Sequence, residues 1–259
     1  MTNTSNQTPN SSENSNNLIY GTRAVIEAVK AGKEIEKLFI QQDVFNPLIN
    51  DLKKILKEHN ITFQLVPLPK LQRITRGNHQ GVVGFLSLLS YQKVEDVIPM
   101  VFETGKTPLF LMLDRVTDVR NFGSIVRSAA CAGVQAVIIP EQGSAQINAD
   151  AIKASAGALF NVAVCKEKNL KVAMEYLKSS GIKIVAATEK SHQEYYQCDL
   201  KTPCCILMGS EEDGISTEYL KRSDEKVSIP MQGSIASLNV SVATAIMLFE
   251  AVRQRSQKI

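Results

Sequence analysis

Small polar side chains and a glycine stand together near the C-terminal end of the chain, directly before a predicted helix. Residues 229–243 read IPMQGSIASLNVSVA and include Gly233, Ser237 and Asn239. The N-terminus of a helix exposes unpaired N–H groups and a partial positive charge, so it attracts polar ligands. We interpret Ser237 as the N-cap of the last helix, with Asn239 in its first turn. Because capping explains neither Gly233 nor Asn239, this stretch predicts a ligand site.

Two other loops carry polar residues that such a site would use. Asn121 and Arg127 follow the apolar stretch 109–113, with Asn121 as a candidate cap and Arg127 one or two turns into the next helix. Gly209 and Glu211 follow another apolar stretch, where a glycine lets the backbone approach a ligand closely. The acidic residues that follow Glu211 suit the N-terminus of a helix, so Glu211 is the acid that we assign to function.

Composition limits the class of protein. The chain has 259 residues, 44% of them hydrophobic, and a net charge of +3, which permits nucleic-acid binding without requiring it. Its five cysteines show no C-x-x-C spacing and its three histidines lie far apart, so we expect reduced thiols, no metal site and a cytoplasmic protein. No stretch reaches the roughly 20 apolar residues that span a bilayer.

The C-terminal part of the sequence has the pattern of an α/β domain with a parallel sheet. Dense apolar strands alternate with helical patterns, which indicates a sheet covered on both faces. The predicted strands are residues 109–113, 136–139, 162–165, 183–187 and 204–208. The predicted helices between them are residues 124–131, 148–154, 170–179 and 218–222. Ligands of such sheets bind beyond the carboxyl ends of the strands, but no G-x-G-x-x-G follows the first strand, which disfavours a dinucleotide site.

The chain is predicted to have two domains. Residues 1–17 are mostly Asn, Ser and Thr and lack the apolar core of a secretory signal, so we expect a disordered tail. Residues 18–90 form a small α/β unit. Charges, two prolines and a glycine within residues 91–108 mark residues 91–107 as a linker, and residues 108–259 form the second domain.

Three stretches resemble the signatures of a known family, and they occur in that family's order. They are residues 121–129 (NFGSIVRSA), residues 207–211 (LMGSE) and residues 229–243. With them the sequence resembles the SpoU (TrmH) family of RNA ribose 2′-O-methyltransferases, in the SPOUT superfamily. Residues 19–29 and 79–82 are similar to the family's L30e-like substrate-binding domain. The combination resembles the bacterial 23S rRNA guanosine 2′-O-methyltransferases in particular.

The resemblance implies a fold, a cofactor and an assembly. The fold would be a parallel-sheet domain with a deep C-terminal trefoil knot, preceded by the L30e-like domain, and the protein would be a homodimer built on knot helices. The implied cofactor is S-adenosylmethionine, and the implied active-site residues are Asn121, Arg127, Glu211, Ser237 and Asn239. The residues implied to hold the adenosyl part are Gly209, Ile229 and Leu238, with Thr188 nearby.

These implied roles must satisfy the chemistry of methyl transfer to a ribose hydroxyl. The hydroxyl oxygen must be aligned with the methyl group, and the hydroxyl must lose its proton. The family favours Arg127 as the group that activates the hydroxyl. A guanidinium keeps its proton, so we expect Arg127 to hold the adjacent phosphate and polarise the hydroxyl. A phosphate oxygen or Glu211 then accepts the proton. Asn121 would orient Arg127 or the ribose, while Ser237 and Asn239 shape the pocket.

The first domain is expected to bind the RNA through a polar cluster. Its members are Lys70, Arg73, Arg76, Asn78 and His79, with Arg23 as a further candidate. A solvated helix face followed by a turn explains the same residues equally well.

Three other functions remain open. The first is methylation of tRNA instead of 23S rRNA by an enzyme of the same family. The second is a non-catalytic RNA-binding factor in ribosome assembly, which the intact set of active-site residues disfavours. The third, a nucleotide-dependent dehydrogenase, is disfavoured by the missing glycine motif.

Overall fold

Two units make up the chain, residues 1–90 and 91–259, each with its own buried core. They are described from a computed structural model, which describes residues 17–44, 46–234 and 237–256. Most of the tail predicted to be disordered, residues 1–17, therefore lies outside the described residues. Asn17 is described, and its side-chain amide donates a 3.1 Å hydrogen bond to the carbonyl of Leu86.

The first unit is a four-stranded sheet with three helices. In chain order its elements are β1 (Leu18–Tyr20), α1 (Thr22–Lys30), β2 (Ile35–Gln41), α2 (Pro47–Glu58), β3 (Gln64–Val66), α3 (Leu68–Ile74) and β4 (Val82–Leu86). The strand order is β1-β4-β2-β3, and only β2 and β3 pair in parallel. The sequence did not predict β1, because three residues are too few to show a period of two.

The second unit contains a six-stranded sheet in which all the strands are parallel, in the order β10-β8-β9-β5-β6-β7. Its strands are β5 (Leu109–Leu113), β6 (Ala136–Pro140), β7 (Ala163–Glu167), β8 (Lys183–Ala187), β9 (Cys204–Met208) and β10 (Glu225–Val227). The five predicted strands and the parallel α/β class are confirmed. The sixth strand was missed because β10 has only three residues, two of them charged.

Helices cover this sheet. They are α4 (Val94–Glu103), α5 (Val119–Cys131), α6 (Ala149–Ala154), α7 (Leu170–Ser179), α8 (Thr217–Arg222) and α9 (Val240–Ser256). The predicted linker, residues 91–107, contains α4, so it is not an extended connection. Four apolar residues of α4 lie at helical spacing and are buried in the core of the second unit: Val94, Val97, Ile98 and Val101. Their burial stabilises the helix by more than the internal Pro99 destabilises it.

Strand order brings four loops to one edge of the sheet. Strands β10, β8, β9 and β5 are consecutive neighbours, and Leu113 pairs with Met208 while Val227 pairs with Ala187. Because the strands are parallel, the loops that follow them all leave from the same edge. The residues singled out from the sequence at positions 121, 188, 209, 211 and 229 belong to these loops or to the helix that follows one of them.

The described part of the chain contains no membrane-spanning helix, no metal-ion site and no disulfide. No helix there is both long and apolar enough to cross a bilayer. No group of His, Cys, Asp or Glu side chains is arranged to hold a metal ion. All five cysteines fall within it and are unbridged, with Cys131 alone exposed. Burial raises the pKa of the Cys165 and Cys198 thiols to about 12, which makes them poor nucleophiles.

Gly123 sets the distance between α5 and α6. A Cβ atom at this position would lie 2.5 Å from the Cβ of Ala154 and 2.8 Å from the carbonyl oxygen of Ala151. Glycine is therefore required by helix packing here, and the packing in turn places the start of α5 at the carboxyl edge of the sheet.

We expect Gly123→Ala to lower the free energy of unfolding by about 1 kcal/mol and Gly123→Val to lower it further. Overpacking costs roughly 1–3 kcal/mol, which exceeds the gain of about 1 kcal/mol in helix propensity. Urea denaturation measures both values. Gly233→Ala is the control, since no described atom lies within 4 Å of its added Cβ. An unchanged midpoint in both Gly123 variants would contradict the packing role.

Candidate active site

Asn121 is turned toward the site because another residue caps its helix. The side chain of Asp118 accepts a 2.7 Å hydrogen bond from the N–H of Asn121 and is the N-cap of α5. The sequence-based assignment of Asn121 as the cap is therefore wrong, since an aspartate three residues earlier takes that position. The amide side chain of Asn121 is left to donate a short hydrogen bond to the carboxylate of Glu211.

Glu211 lies at the corner of a tight loop that follows β9. Ser210 and Gly214 close this loop with two backbone hydrogen bonds of 3.2 and 3.1 Å. A Cβ at Gly209 would lie 2.1 Å from the carbonyl carbon of Gly214, so Gly209 is needed for the loop to fold back on itself. Packing within the protein thus explains Gly209, and its predicted close approach to a ligand stays a prediction.

Asn239 completes a line of three side chains. Its amide nitrogen donates a 3.1 Å hydrogen bond to the side-chain oxygen of Asn121. Its own side-chain oxygen accepts from the N–H of Ser241 at 2.9 Å and from the Ser241 hydroxyl at 2.5 Å. Glu211 lies in the loop after β9, Asn121 in the first turn of α5 and Asn239 just before α9, and the three side chains meet at one edge of the sheet. Side chains so far apart in sequence meet only because the fold brings them together.

Asn239 also occupies the capping position that the sequence analysis gave to Ser237. Helix α9 begins at Val240, and the backbone carbonyl of Asn239 accepts the N–H of Ala243 at 2.9 Å. Asn239 therefore precedes the first turn, and its side chain satisfies the N–H of Ser241. Ser237 lies exposed two residues earlier, and it has no hydrogen bond to the three side chains within the described residues.

Arg127 is not brought to these three side chains. It is exposed on α5, and its guanidinium has no hydrogen bond or ion pair within residues 17–44, 46–234 and 237–256. Six residues separate it from Asn121, which places it about 9 Å farther along the helix and about 120° around the axis. Within one chain, Arg127 therefore faces solvent and not the carboxylate of Glu211.

The residues expected to hold the adenosyl group end three neighbouring strands. Thr188 follows β8, is 7% exposed, and donates its N–H to the carbonyl of Val227 at 2.8 Å. Gly209 follows β9, and Ile229 lies two residues beyond β10. Leu238 is 38% exposed close to the start of α9. The order β10-β8-β9 makes the first three neighbours along the edge, so they can line one ligand.

Two family models match this chain. The family model for SpoU rRNA methylases matches residues 108–249, and the model described as "RNA 2′-O ribose methyltransferase substrate binding" matches residues 18–92. The 23S rRNA (guanosine-2′-O-)-methyltransferase RlmB of Photorhabdus laumondii is 39% identical, over 92% of this chain and 98% of the relative. The chain belongs to the SpoU rRNA methylase family.

Two further matches support this membership. A Bacillus subtilis relative, YacO, is 30% identical over 92% of this chain and 96% of its own length, and its name gives both tRNA and rRNA. A crystal structure of an AdoMet-bound rRNA methyltransferase from Sinorhizobium meliloti is 27% identical, with a TM-score of 0.59, over 92% of this chain and 87% of that chain. The SpoU match includes Glu211, Asn121 and Asn239.

The basic residues predicted to bind RNA belong to the unit matched by the substrate-binding model. Lys70 lies over the ring of Phe39, with its nitrogen 4.8 Å from the ring centre, and Arg23, Arg73 and Arg76 are exposed. Lys37, which was not among the predicted residues, lies close enough to Lys70 to feel its charge. Burial lowers the pKa of Lys37, and the nearby charge of Lys70 lowers it further, against a raising effect of Glu36.

His79 has a structural role in the same unit. Its Nδ1 accepts the N–H of Gly81 at 3.0 Å, which stabilises the turn before β4. A Cβ at Gly21 would lie 3.8 Å from the carbonyl oxygen of Asn78, so this turn adjoins the start of α1. Three residues at the carboxyl edge of the sheet were not predicted: Asp118, Ser241 and Arg115. The polar residues that follow β5 were a signal for Asp118 and Arg115.

We expect Asn121→Asp to lose about 1 kcal/mol of stability at pH 7.5, because it replaces a donor to Glu211 with a second carboxylate. Repulsion raises the pKa of one member of the pair in the folded state. The loss should therefore shrink as the pH falls through that raised pKa. Urea denaturation at pH 7.5 and pH 5 measures this difference.

Asn121→Ala is the matched control for this prediction. It removes the same hydrogen bond without adding a charge, so its loss of stability relative to the wild type should be similar at the two pH values. A pH-independent loss in Asn121→Asp as well would show that the two carboxyl groups do not interact.

Proposed function

We propose that this chain transfers the methyl group of S-adenosylmethionine to a ribose 2′-hydroxyl of RNA, with a guanosine of 23S rRNA as the target. The observation that carries the proposal is the hydrogen-bonded line Glu211–Asn121–Asn239 at the carboxyl edge of the sheet. This line places a carboxylate, held by an amide, where a parallel sheet binds its ligands. Membership in the SpoU family supports the reaction class.

The carboxyl edge fits the adenosyl part of the cofactor. It offers the ends of three neighbouring strands at Thr188, Gly209 and Ile229, together with the exposed apolar side chains of Met231 and Leu238. Backbone groups there suit the polar atoms of an adenine, and the apolar side chains suit its faces. When bound, the cofactor supplies a methyl group on a positively charged sulfur, so the protein need not activate the methyl group further.

Glu211 is the proposed acceptor of the hydroxyl proton. One of its carboxylate oxygens accepts from Asn121, and the other has no partner in the described part of the chain. Asn121 is held in turn by Asn239, which Ser241 orients. A carboxylate held in this way stays in place while its second oxygen accepts the proton. A phosphate oxygen of the RNA is the alternative acceptor.

Arg127 is the proposed contact for the RNA phosphate next to the reactive ribose. Its guanidinium is exposed and carries no protein partner within the described residues, so its donors are available to a phosphate. Its positive charge polarises the hydroxyl. Ser237 is proposed to shape the pocket from the segment before α9.

Finer features of the fold and assembly are proposed on the family resemblance. They are a deep trefoil knot in the C-terminal segment, an L30e-like fold for residues 18–90, and the domain boundaries at about residues 90 and 108. A homodimer through the knot helices is supported by Val242 and Phe249, which lie seven residues apart on α9 and are 47% and 48% exposed. A substrate on the ribosome would place the protein in the cytoplasm.

We expect Arg127→Ala to abolish methyl transfer while the affinity for S-adenosylmethionine stays within about two-fold, because the arginine contacts RNA and not the cofactor. Transfer of a tritiated methyl group measures turnover, and calorimetry measures cofactor binding. Arg222→Ala is the control, since it removes an arginine that forms ion pairs with Glu175 and Glu218. Full activity in Arg127→Ala would remove Arg127 from the mechanism.

The substrate is tested by mapping ribose methylation in rRNA and tRNA from cells with and without the gene. We expect one guanosine of 23S rRNA to lose its 2′-O-methyl group and the tRNA pattern to stay unchanged. Loss of a methyl group from tRNA alone would assign the tRNA function instead. An unchanged pattern in both, together with no binding of S-adenosylmethionine by calorimetry, would indicate a non-catalytic RNA-binding factor.

A further inference from the structure

Arg115 connects two loops of the second unit through its whole guanidinium. Its Nε and Nη2 donate to the carboxylate of Asp114 at 3.1 and 3.3 Å. Its Nη1 donates to Asp213 at 3.0 Å, and its Nη2 also donates to the carbonyl of Gly214 at 3.2 Å. Asp213 and Gly214 belong to the loop that carries Glu211. One side chain thus joins the loop after β5 to the loop after β9.

Asp114 makes a second connection between the same loops. Its side chain is buried, with the residue 2% exposed, and one carboxylate oxygen accepts the N–H of Ser216 at 2.8 Å. Arg115 supplies the positive charge that a buried carboxylate requires. This arrangement differs from an isolated surface ion pair, which contributes little, because it combines a buried acid, a two-point contact and a backbone carbonyl.

The backbone at Arg115 indicates that its side chain is needed. Arg115 has a φ of +57°, in the left-handed region that non-glycine residues rarely adopt. Glycine would adopt this conformation without strain. Contacts of the arginine side chain offset the backbone cost here, and those contacts lead to the Glu211 loop.

The loop itself transmits the contact to Glu211. Residues 210–214 form a closed turn, since Ser210 and Gly214 exchange two backbone hydrogen bonds. The hydroxyl of Ser210 also accepts the N–H of Asp213 at 3.2 Å. Fixing Asp213 and Gly214 therefore fixes the turn in which Glu211 stands.

We propose that Arg115 is a positioning residue that holds the Glu211 loop against the segment carrying Asn121. Arg115 and Asn121 lie on the same stretch of chain, at the end of β5 and the start of α5. The Glu211 loop is thus fixed to that stretch at two points, by Arg115 through Asp213 and Gly214 and by Asn121 through Glu211. The inference rests on the proposed function and identifies a residue that controls the placement of its proton acceptor.

The test compares Arg115→Gly with the wild-type full-length protein in single-turnover methyl transfer. Glycine suits the positive φ, so the variant removes the side chain without adding backbone strain. We expect the rate to fall about 10- to 100-fold, as for a reacting group displaced by about 1 Å. Binding of S-adenosylmethionine and of RNA should each stay within two-fold. Arg115→Lys, which keeps the charge and can reach one partner, should recover part of the rate.

A second comparison separates positioning from general stability. In a Glu211→Gln background, Arg115→Gly should cost less than two-fold, because the group that it positions is already gone. An equal loss in both backgrounds would show that Arg115 acts through general stability and would overturn the proposal. Asp213→Asn is an exposed change that leaves the other contacts of Arg115 intact, and it should slow the reaction by a few-fold. It tests the same connection if Arg115→Gly does not fold.

The outcomes also separate this proposal from the proposed function. If the wild-type protein shows no ribose methylation, the proposed function fails. If the wild-type protein is active and Arg115→Gly keeps its rate, only the role of Arg115 fails. Arg222→Ala, which removes an arginine paired with Glu175 on α7 and with Glu218 on its own helix α8, should leave the rate unchanged.

Discussion

The candidate site depends on the side-chain amide of Asn121, which is a donor and an acceptor at once. Its nitrogen donates to Glu211 and its oxygen accepts from Asn239, so the two loops that follow β9 and precede α9 are joined through one group. An ionised carboxylate only accepts hydrogen bonds and an ammonium only donates them, so neither could make both contacts. The amide can do so only because Asp118 caps the helix in its place.

Close backbone packing gives this amide a fixed position. Gly123 lets α5 lie directly on α6, and Gly209 lets the Glu211 loop fold back onto its own backbone. Both glycines stand in the stretches that resemble the family signatures, yet both are explained here by contacts within the protein. The polar residues of the same stretches meet because these glycines allow the elements that carry them to approach. Each of these short segments therefore contains both a glycine that allows close packing and polar residues of the candidate site.

Structural features that depend on long sequence patterns could be predicted, and features that depend on single contacts could not. The five apolar strands and the edge where their loops meet could be predicted, because parallel strands are nearly continuous apolar runs. The three-residue strands β1 and β10 could not. The choice of Asp118 over Asn121, and of Asn239 over Ser237, as caps was not decided by residue type, since all four are good caps. The resemblance grouped Arg127 with Asn121, but helical geometry separates their directions within one chain.

The last helix connects the candidate site to the opposite edge of the sheet. Helix α9 has 17 residues and is about 25 Å long, longer than the five-residue strands that it accompanies. Near its C-terminus, Arg255 donates to the carbonyls of Thr107, Pro108 and Thr202, each at 2.9 Å, where β5 and β9 begin. At its other end, Asn239 meets Asn121, beyond the point where the same strands end. Hydrogen bonds thus hold this helix at both edges of one sheet, and Arg255 contributes to the position of Asn239 from the opposite edge.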